Sequence, residues 1–197
     1  MTKRWMWAGL ILALSAGAAE AHTGVGTTMG FGHGFSHPFS GLDHMLAMLA
    51  VGLFAANLGG RALWLVPSAF VAMMAVGGAL GISGVQLPFV EIGIALSVIV
   101  LSAAVAMNWS LPLAGAMSLV GFFAIFHGHA HGAEMPKIAS GLAYAVGFML
   151  ATATLHALGL GLGLSVGSVA RNYSRRIAQV GGSAMALAGL GILAGWL

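Results

Sequence analysis

Long apolar runs separated by short polar gaps most constrain what this chain can fold into. A helix of about 20 apolar residues is long enough to cross the hydrocarbon core of a bilayer, which is ~30 Å thick. Because 59% of the residues are apolar and only 6% are charged, we predict an all-α integral membrane protein. The prediction is a polytopic bundle of about six transmembrane helices, near Pro38–Ala56, Ala62–Ile82, Pro88–Met107, Leu111–His127, Ile138–Leu160 and Ile177–Leu197.

Glycine is abundant in these apolar runs, with 31 glycines in the whole chain. Small residues let the backbones of membrane helices approach closely. We therefore regard Gly77-x-x-x-Gly81 and Gly191-x-x-x-Gly195 as candidate contacts between helices.

The N-terminal segment has the pattern of a cleavable signal peptide. A basic start is followed by an apolar run of ~14 residues and by the small-residue segment Ala19-Glu20-Ala21. Because that run is short for a full span, we predict a signal peptide over residues 1–21 and one transmembrane domain over residues 22–197. An uncleaved first helix is the alternative. Cleavage would leave His22 at the N-terminus, where its α-amine and imidazole could bind one metal ion together.

The basic residues in the gaps predict the orientation of the bundle, since Lys and Arg are retained on the cytoplasmic side. If the mature N-terminus is exported, only Lys137 lies on the outer side. The gaps on the cytoplasmic side then contain Arg61, Arg171, Arg175 and Arg176. The net charge of +3 therefore indicates topology rather than a nucleic-acid partner.

Histidines and carboxylates gather at two places, although ionisable groups are unfavourable within a bilayer. One cluster surrounds the start of the first predicted helix, and the other follows the fourth helix. Both places face the exported side in the predicted topology, so the clusters can meet in space. They consist of His33, His37, Asp43 and His44, and of His127, His129, His131 and Glu134.

The first cluster is predicted to lie along the start of a helix. Pro38 suits a first helical position and favours extended backbone in the residue before it, so we expect His37 to cap a helix beginning at Pro38. Asp43 and His44 would then lie more than one helical turn below the mouth of that helix.

The second cluster has two alternative arrangements. In a helix, His127, His131 and Glu134 would line one stripe with His129 turned away. Gly128 and Gly132 leave an extended segment open, which would place the three histidines on one side without Glu134.

Imidazole and carboxylate ligands suit nickel, cobalt, zinc or copper(II), whereas magnesium and calcium prefer oxygen ligands alone. The absence of cysteine excludes thiolate sites. We therefore predict no resident cofactor, and Ni²⁺, Co²⁺ or Zn²⁺ as the transported or bound ion. Glu91, near the exported face, and His156, deeper in the bilayer, are weaker candidates. The alternative is that these histidines only cap helices and bond backbone carbonyls.

The sequence has neither a Walker-type loop for ATP nor a Gly-x-Ser-x-Gly nucleophile elbow. We therefore predict that the protein is not an enzyme, and that its partners are a divalent metal ion and the lipid bilayer, with homo-oligomerisation left open. Two alternatives are a membrane metal-binding or sensor protein and an intramembrane metallohydrolase. The second rests on His131-Gly-Ala-Glu134, half of a zinc-protease pattern.

Two segments closely resemble the signature motifs of the HupE/UreJ family. They are His37-Pro-Phe-Ser-Gly-Leu-Asp43-His44 and Phe126-His127-Gly-His129-Ala-His131-Gly-Ala-Glu134. The resemblance covers nearly the whole chain, and both motifs match without a substitution.

The resemblance implies a bacterial inner-membrane permease that takes up nickel, and sometimes cobalt, by facilitated diffusion without ATP. It assigns metal-handling roles to the matching residues His37, Asp43, His44, His127, His131 and Glu134. His129 occupies a variable position of the second motif. His22, His33, Glu91 and His156 are candidates from chemistry and topology alone.

Overall fold

The computed structural model describes residues 30–135, 141–170 and 172–197, and the regular secondary structure of these residues is entirely helical. The predicted signal peptide, His22, Lys137 and Arg171 lie outside the described residues. In chain order the α-helices are α1 (Gly30–Ser36), α2 (Leu42–Leu58), α3 (Ala62–Ile82), α4 (Val90–Ala106), α5 (Leu113–Ala133), α6 (Gly141–Val169) and α7 (Ser174–Leu193).

Four of the described helices, α3, α5, α6 and α7, are long and apolar enough to cross a membrane. A fifth span results if the bent pair Gly30–Phe39 and Leu42–Leu58 counts as one, whereas α4 is shorter, with 17 residues. The all-α class is therefore confirmed, while the count of six transmembrane helices stays a prediction.

Glycines bring the backbones of α3 and α5 into direct contact. A Cβ atom built at Gly77 would meet the carbonyl of Ile125, and one at Gly81 would meet the carbonyl of His129. The contact predicted from the first glycine spacing is therefore confirmed. The second spacing makes no such contact: a Cβ atom at Gly195 would meet nothing within 4 Å.

The opposing glycines of α5 complete this contact. A Cβ atom at Gly128 would meet the carbonyl of Met74, and one at Gly132 would meet the carbonyl of Gly78. Only glycine therefore permits this approach of α5 to α3, which fixes how α5 is rotated.

The long helix α6 packs against both halves of the bent pair. Gly34 of α1 lies against the carbonyl of Tyr144, and Gly147 of α6 lies against the carbonyl of Phe31. Farther along, Gly52 of α2 lies against the carbonyl of His156. Helices α2 and α6 thus run side by side in the same direction.

The break between α1 and α2 differs from the prediction that a helix begins at Pro38. Residues His37–Phe39 form a 3₁₀ turn, closed by the backbone N–H of Ser40 (3.0 Å) and its hydroxyl (2.6 Å), which both donate to the His37 carbonyl. Gly41 is extended, with φ −96° and ψ 122°, and the chain bends by 79°. His37 is therefore no helix cap, and the prediction that Asp43 and His44 lie more than one turn inside their helix is wrong, because both lie in the first turn of α2.

The glycine contact generates a stability prediction. Gly77→Ala should lower the free energy of unfolding by about 1–3 kcal/mol, because its methyl group would push α3 away from α5. The measurement is denaturant or thermal unfolding of the purified protein in detergent. Gly161→Ala is the matched control, since a Cβ atom there meets nothing within 4 Å. Equal stability of the two variants would contradict the backbone contact.

Candidate metal centre

Four histidines from three elements form a continuous column. Ring centroids lie 4.9 Å apart for His37 and His131, 5.1 Å for His131 and His44, and 5.2 Å for His44 and His127. His37 comes from the break before α2, His44 from the first turn of α2, and the other two from α5. The structure therefore brings together the central histidines of both predicted clusters.

The second cluster is helical, because α5 continues to Ala133 instead of ending at His127. The stripe of His127, His131 and Glu134 is thereby confirmed, and the extended alternative is wrong. Gly128 and Gly132, which had left the helix open to question, are its contact points with α3.

The outer end of the column is a group of three ligand residues. His37 Nε2 and His131 Nδ1 lie 3.2 Å apart, and one ligand atom each of His37, His131 and Glu134 lies within 4.8 Å of the others. Both histidines are half-buried and Glu134 is exposed, so the group borders solvent. Among the described residues, this group has the composition of a three-ligand site that leaves further positions for water.

The inner end of the column is a buried pair of imidazoles. His44 is 2% exposed and His127 is 0% exposed, and their Nδ1 atoms lie 3.3 Å apart. His127 Nε2 faces the hydroxyl of Ser97 at 2.7 Å, and His44 Nε2 faces that of Thr152 at 3.3 Å. All four imidazole nitrogens of this pair therefore have a polar neighbour.

Asp43 lies beside the inner pair but contacts the backbone. Its Oδ1 atom accepts a hydrogen bond of 2.6 Å from the backbone N–H of His44, in the first turn of α2. A carboxylate there also suits the positive end of the helix dipole. Asp43 is half-buried, so its charge lies close to the column without bonding to an imidazole.

The remaining candidates lie around the column rather than in it. His33 is exposed at its outer end, with its ring 5.9 Å from that of His37. His129 points away, and its Nε2–H donates to the carbonyl of Val85 at 2.6 Å. Glu91 is exposed in the first turn of α4 and does not join the outer group.

His156 continues the line of rings toward the opposite end of the bundle. The ring of Phe70 lies between, 5.8 Å from that of His127 and 5.1 Å from that of His156. His156 is 2% exposed, and among the described residues neither of its ring nitrogens has a hydrogen-bond partner. A buried polar group without a partner is unfavourable by about 1–3 kcal/mol, so His156 is not explained by the fold alone.

Four residues of this region were not among the sequence candidates: Ser97, Thr152, Phe70 and Phe148. The Phe148 ring lies 4.5 Å from that of His131 and 5.0 Å from that of His44, and it closes one side of the column. Isolated Ser, Thr and Phe residues are common in apolar helices. Only Thr152 could have been suspected from the sequence, because it precedes His156 by one helical turn and so lies on the same face of α6.

Comparison with known proteins decides the family. The chain matches the family described as HupE / UreJ protein over residues 10–192. The chain belongs to the HupE/UreJ family. It is also 49% identical over 178 residues to Protein HupE of Rhizobium leguminosarum bv. viciae, which covers 90% of this chain and 91% of that protein. No solved structure matches this HupE/UreJ protein significantly.

The geometry predicts unequal roles for two neighbouring histidines of this HupE/UreJ protein. His131→Ala removes the ring that joins the outer group to the inner pair, so we expect Ni²⁺ binding to weaken at least about tenfold, or 1.4 kcal/mol. His129→Ala is the matched control on the same helix and should weaken binding less. The measurement is isothermal titration of the purified protein with Ni²⁺. An equal loss of Ni²⁺ affinity in the two variants would mean that His129 also belongs to the site.

Proposed function

We propose that this protein transports divalent transition-metal ions, nickel first and cobalt second, from the periplasm to the cytoplasm. The observation that carries the proposal is the column of histidines, which runs from a solvent-bordering group into the buried interior of the bundle. Membership in the HupE/UreJ family, a family of transporters and accessory proteins rather than enzymes, supports it. Passage is by facilitated diffusion across the bacterial inner membrane without ATP.

The first step is capture at the outer end of the column. His33, exposed beside His37, collects the hydrated ion together with His22 at the mature N-terminus. His37, His131 and Glu134 then replace part of the water shell, because their ligand atoms already lie within 4.8 Å of one another. The exposed Glu91 acts at this face as a counter-charge, whereas the buried His129, whose Nε2–H donates to the Val85 carbonyl, is not a ligand of this group.

The second step moves the ion to the buried pair of His44 and His127. An imidazole of that pair lies within ring contact of His131, so a ligand can be exchanged before the previous one is lost. Asp43 offsets the charge of the ion where the dielectric constant is low. Its bond to the His44 backbone fits a supporting role beside the ligands, as outer groups commonly have in metal sites.

The third step is release past Phe70 to His156. Transport requires ligation strong enough to admit an ion and weak enough to let it leave. A single imidazole is a weaker site than the groups above it. His156 borders a cleft of about 500 Å³, together with Trp64 and Ser68 of the first half of α3. That half lies at the end of the bundle opposite the outer group.

Transport is tested by radioactive nickel accumulation in cells that express the wild type, Asp43→Asn and His127→Ala at equal protein levels. We expect both variants to lose uptake by at least about tenfold, or 1.4 kcal/mol in the barrier. Asparagine keeps an oxygen that can accept the His44 N–H, so its effect isolates the charge of Asp43. Unlabelled cobalt, zinc and copper(II) serve as competitors, and the degree to which each reduces nickel accumulation ranks the preference of the protein for these metals.

Ser102→Ala is the control for the uptake assay, because Ser102 is buried in α4 without a hydrogen-bond partner among the described residues. Its uptake should equal that of the wild type. A wild type that binds metal but accumulates none would contradict transport and favour a membrane sensor.

The release step predicts a separation of transport from binding. His156→Leu should reduce the uptake rate at least about fivefold, a barrier increase of about 1 kcal/mol, while the Kd for nickel of the purified protein stays unchanged. Thr154→Val, on the exposed side of the same helix, should change neither quantity. Normal uptake by His156→Leu would exclude His156 from the path.

A further inference from the structure

The hydroxyl of Ser97 determines which nitrogen of His127 carries a proton. A serine hydroxyl has one proton to donate and two lone pairs. The Ser97 hydroxyl donates that proton to the carbonyl of Ile94 at 2.6 Å, and the carbonyl can only accept. Two oxygens 2.6 Å apart repel each other unless a proton lies between them, so we infer that the hydroxyl keeps its proton toward the carbonyl and accepts from His127 Nε2 at 2.7 Å, which requires an Nε2–H.

A neutral imidazole with a proton on Nε2 has a lone pair on Nδ1. The Nδ1 lone pair of His127 is therefore available for a cation, and it faces His44 Nδ1 at 3.3 Å. Ser97 lies in α4 and the Ile94 carbonyl is one turn earlier, so the arrangement is fixed by a helix that contributes no imidazole to this pair.

Thr152 gives His44 a different kind of partner. Its hydroxyl lies 3.3 Å from His44 Nε2 and 3.8 Å from the sulfur of Met74, and it can donate to either. With its proton toward Met74, it accepts from an Nε2–H of His44, whose Nδ1 then has a lone pair. With its proton toward His44, the Thr152 hydroxyl donates to an unprotonated Nε2. The proton of His44 is then on Nδ1, and this Nδ1–H donates to His127 Nδ1.

We propose that Ser97 and Thr152 are positioning residues that make His44 and His127 a two-nitrogen cation site, separate from the outer group. Ser97 keeps the Nδ1 lone pair of His127 in place at all times. Thr152 permits two states of His44: an Nδ1–H that bonds to His127 without a cation, and an Nδ1 lone pair that binds one. This deepens the proposed function and rests on it for the identity of the cation.

The distance between the two nitrogens already fits a bound ion. Imidazole nitrogens lie about 2.0–2.1 Å from zinc, so two of them are about 3.3 Å apart in tetrahedral positions and about 2.9 Å apart at right angles. The Nδ1 atoms are 3.3 Å apart. A transition-metal ion bound by both rings therefore requires no large change in the distance between these two nitrogens.

The tautomers are tested by ¹⁵N NMR of the full-length protein in nanodiscs, labelled at histidine, without metal and with diamagnetic Zn²⁺. The His127 signals are assigned from their loss in His127→Gln. We expect an Nε2–H on His127 in both conditions, and a change of His44 from Nδ1–H to Nε2–H when Zn²⁺ is added. A proton on His127 Nδ1 in the wild type would overturn the proposal.

Variants of Ser97 give the second readout. Ser97→Ala should produce both tautomers of His127 and weaken Zn²⁺ and Ni²⁺ binding about 10–100-fold, the usual effect of removing a partner behind a metal ligand. Ser97→Thr keeps a hydroxyl and should restore the tautomer and most of the affinity. Ser102→Ala removes a buried hydroxyl from the same helix and should change neither. An unchanged tautomer in Ser97→Ala, with the melting temperature preserved, would overturn the role of Ser97.

Thr152 is tested by a matched pair of variants. Thr152→Val keeps the shape and removes the hydroxyl, so the change of the His44 tautomer on adding Zn²⁺ should be lost, whereas Thr152→Ser should retain it. A normal change in Thr152→Val would contradict the role of Thr152. These results do not depend on flux: a protein that passes both tests but accumulates no nickel would overturn transport and leave the cation site standing.

Discussion

The arrangement of this protein depends on the unfavourable free energy of a polar ring that is buried without a partner. Each such group is unfavourable by about 1–3 kcal/mol, and the described bundle buries His44, His127, His129 and His156. The first three have at least one hydrogen-bonding neighbour each, drawn from α2, α4, α5, α6 and the Val85 carbonyl. The fold therefore stabilises a polar column within an apolar bundle, and His156 differs because none of the described residues bonds to its ring nitrogens.

The pattern His-Gly-x-x-His-Gly... of α5 explains how one helix supplies both packing and ligands, since His127-Gly128 and His131-Gly132 form two stripes. Adjacent residues of a helix point about 100° apart. The glycine stripe lies against the α3 backbone, and the histidine stripe is thereby turned toward α2 and the break before it. The backbone contact between α3 and α5 thus determines which way His127 and His131 point. A larger residue at either glycine would rotate or displace both histidines together.

The length of the apolar runs predicted the helical class, and the predicted topology led us to expect that the two clusters meet. Periodicity suggested the stripe of α5, but Gly128 and Gly132 left an extended segment as the alternative. Periodicity was not sufficient for the break before α2, because proline suits the first turn of an α-helix and a 3₁₀ turn equally. Two residues determine the outcome: the Ser40 hydroxyl closes the 3₁₀ turn, and the extended backbone of Gly41 separates that turn from α2. Ser97 and Thr152 were also beyond sequence reasoning. A lone hydroxyl in an apolar helix usually bonds its own backbone, and only the packing of α4 and α6 places these two behind imidazoles.

The number of ligand groups falls along the column, and this order bears on how an ion could pass through. The outer group offers two imidazoles and a carboxylate, the buried pair offers two imidazoles, and the level of His156 offers one. Fewer donors bind an ion less tightly, and the low dielectric constant of the interior further disfavours a cation among neutral imidazoles. The carboxylate of Asp43, half-buried beside the inner pair, offsets part of that unfavourable free energy. Weaker ligation at the inner levels would let an ion leave once it has entered, which is the condition for passage without an energy source.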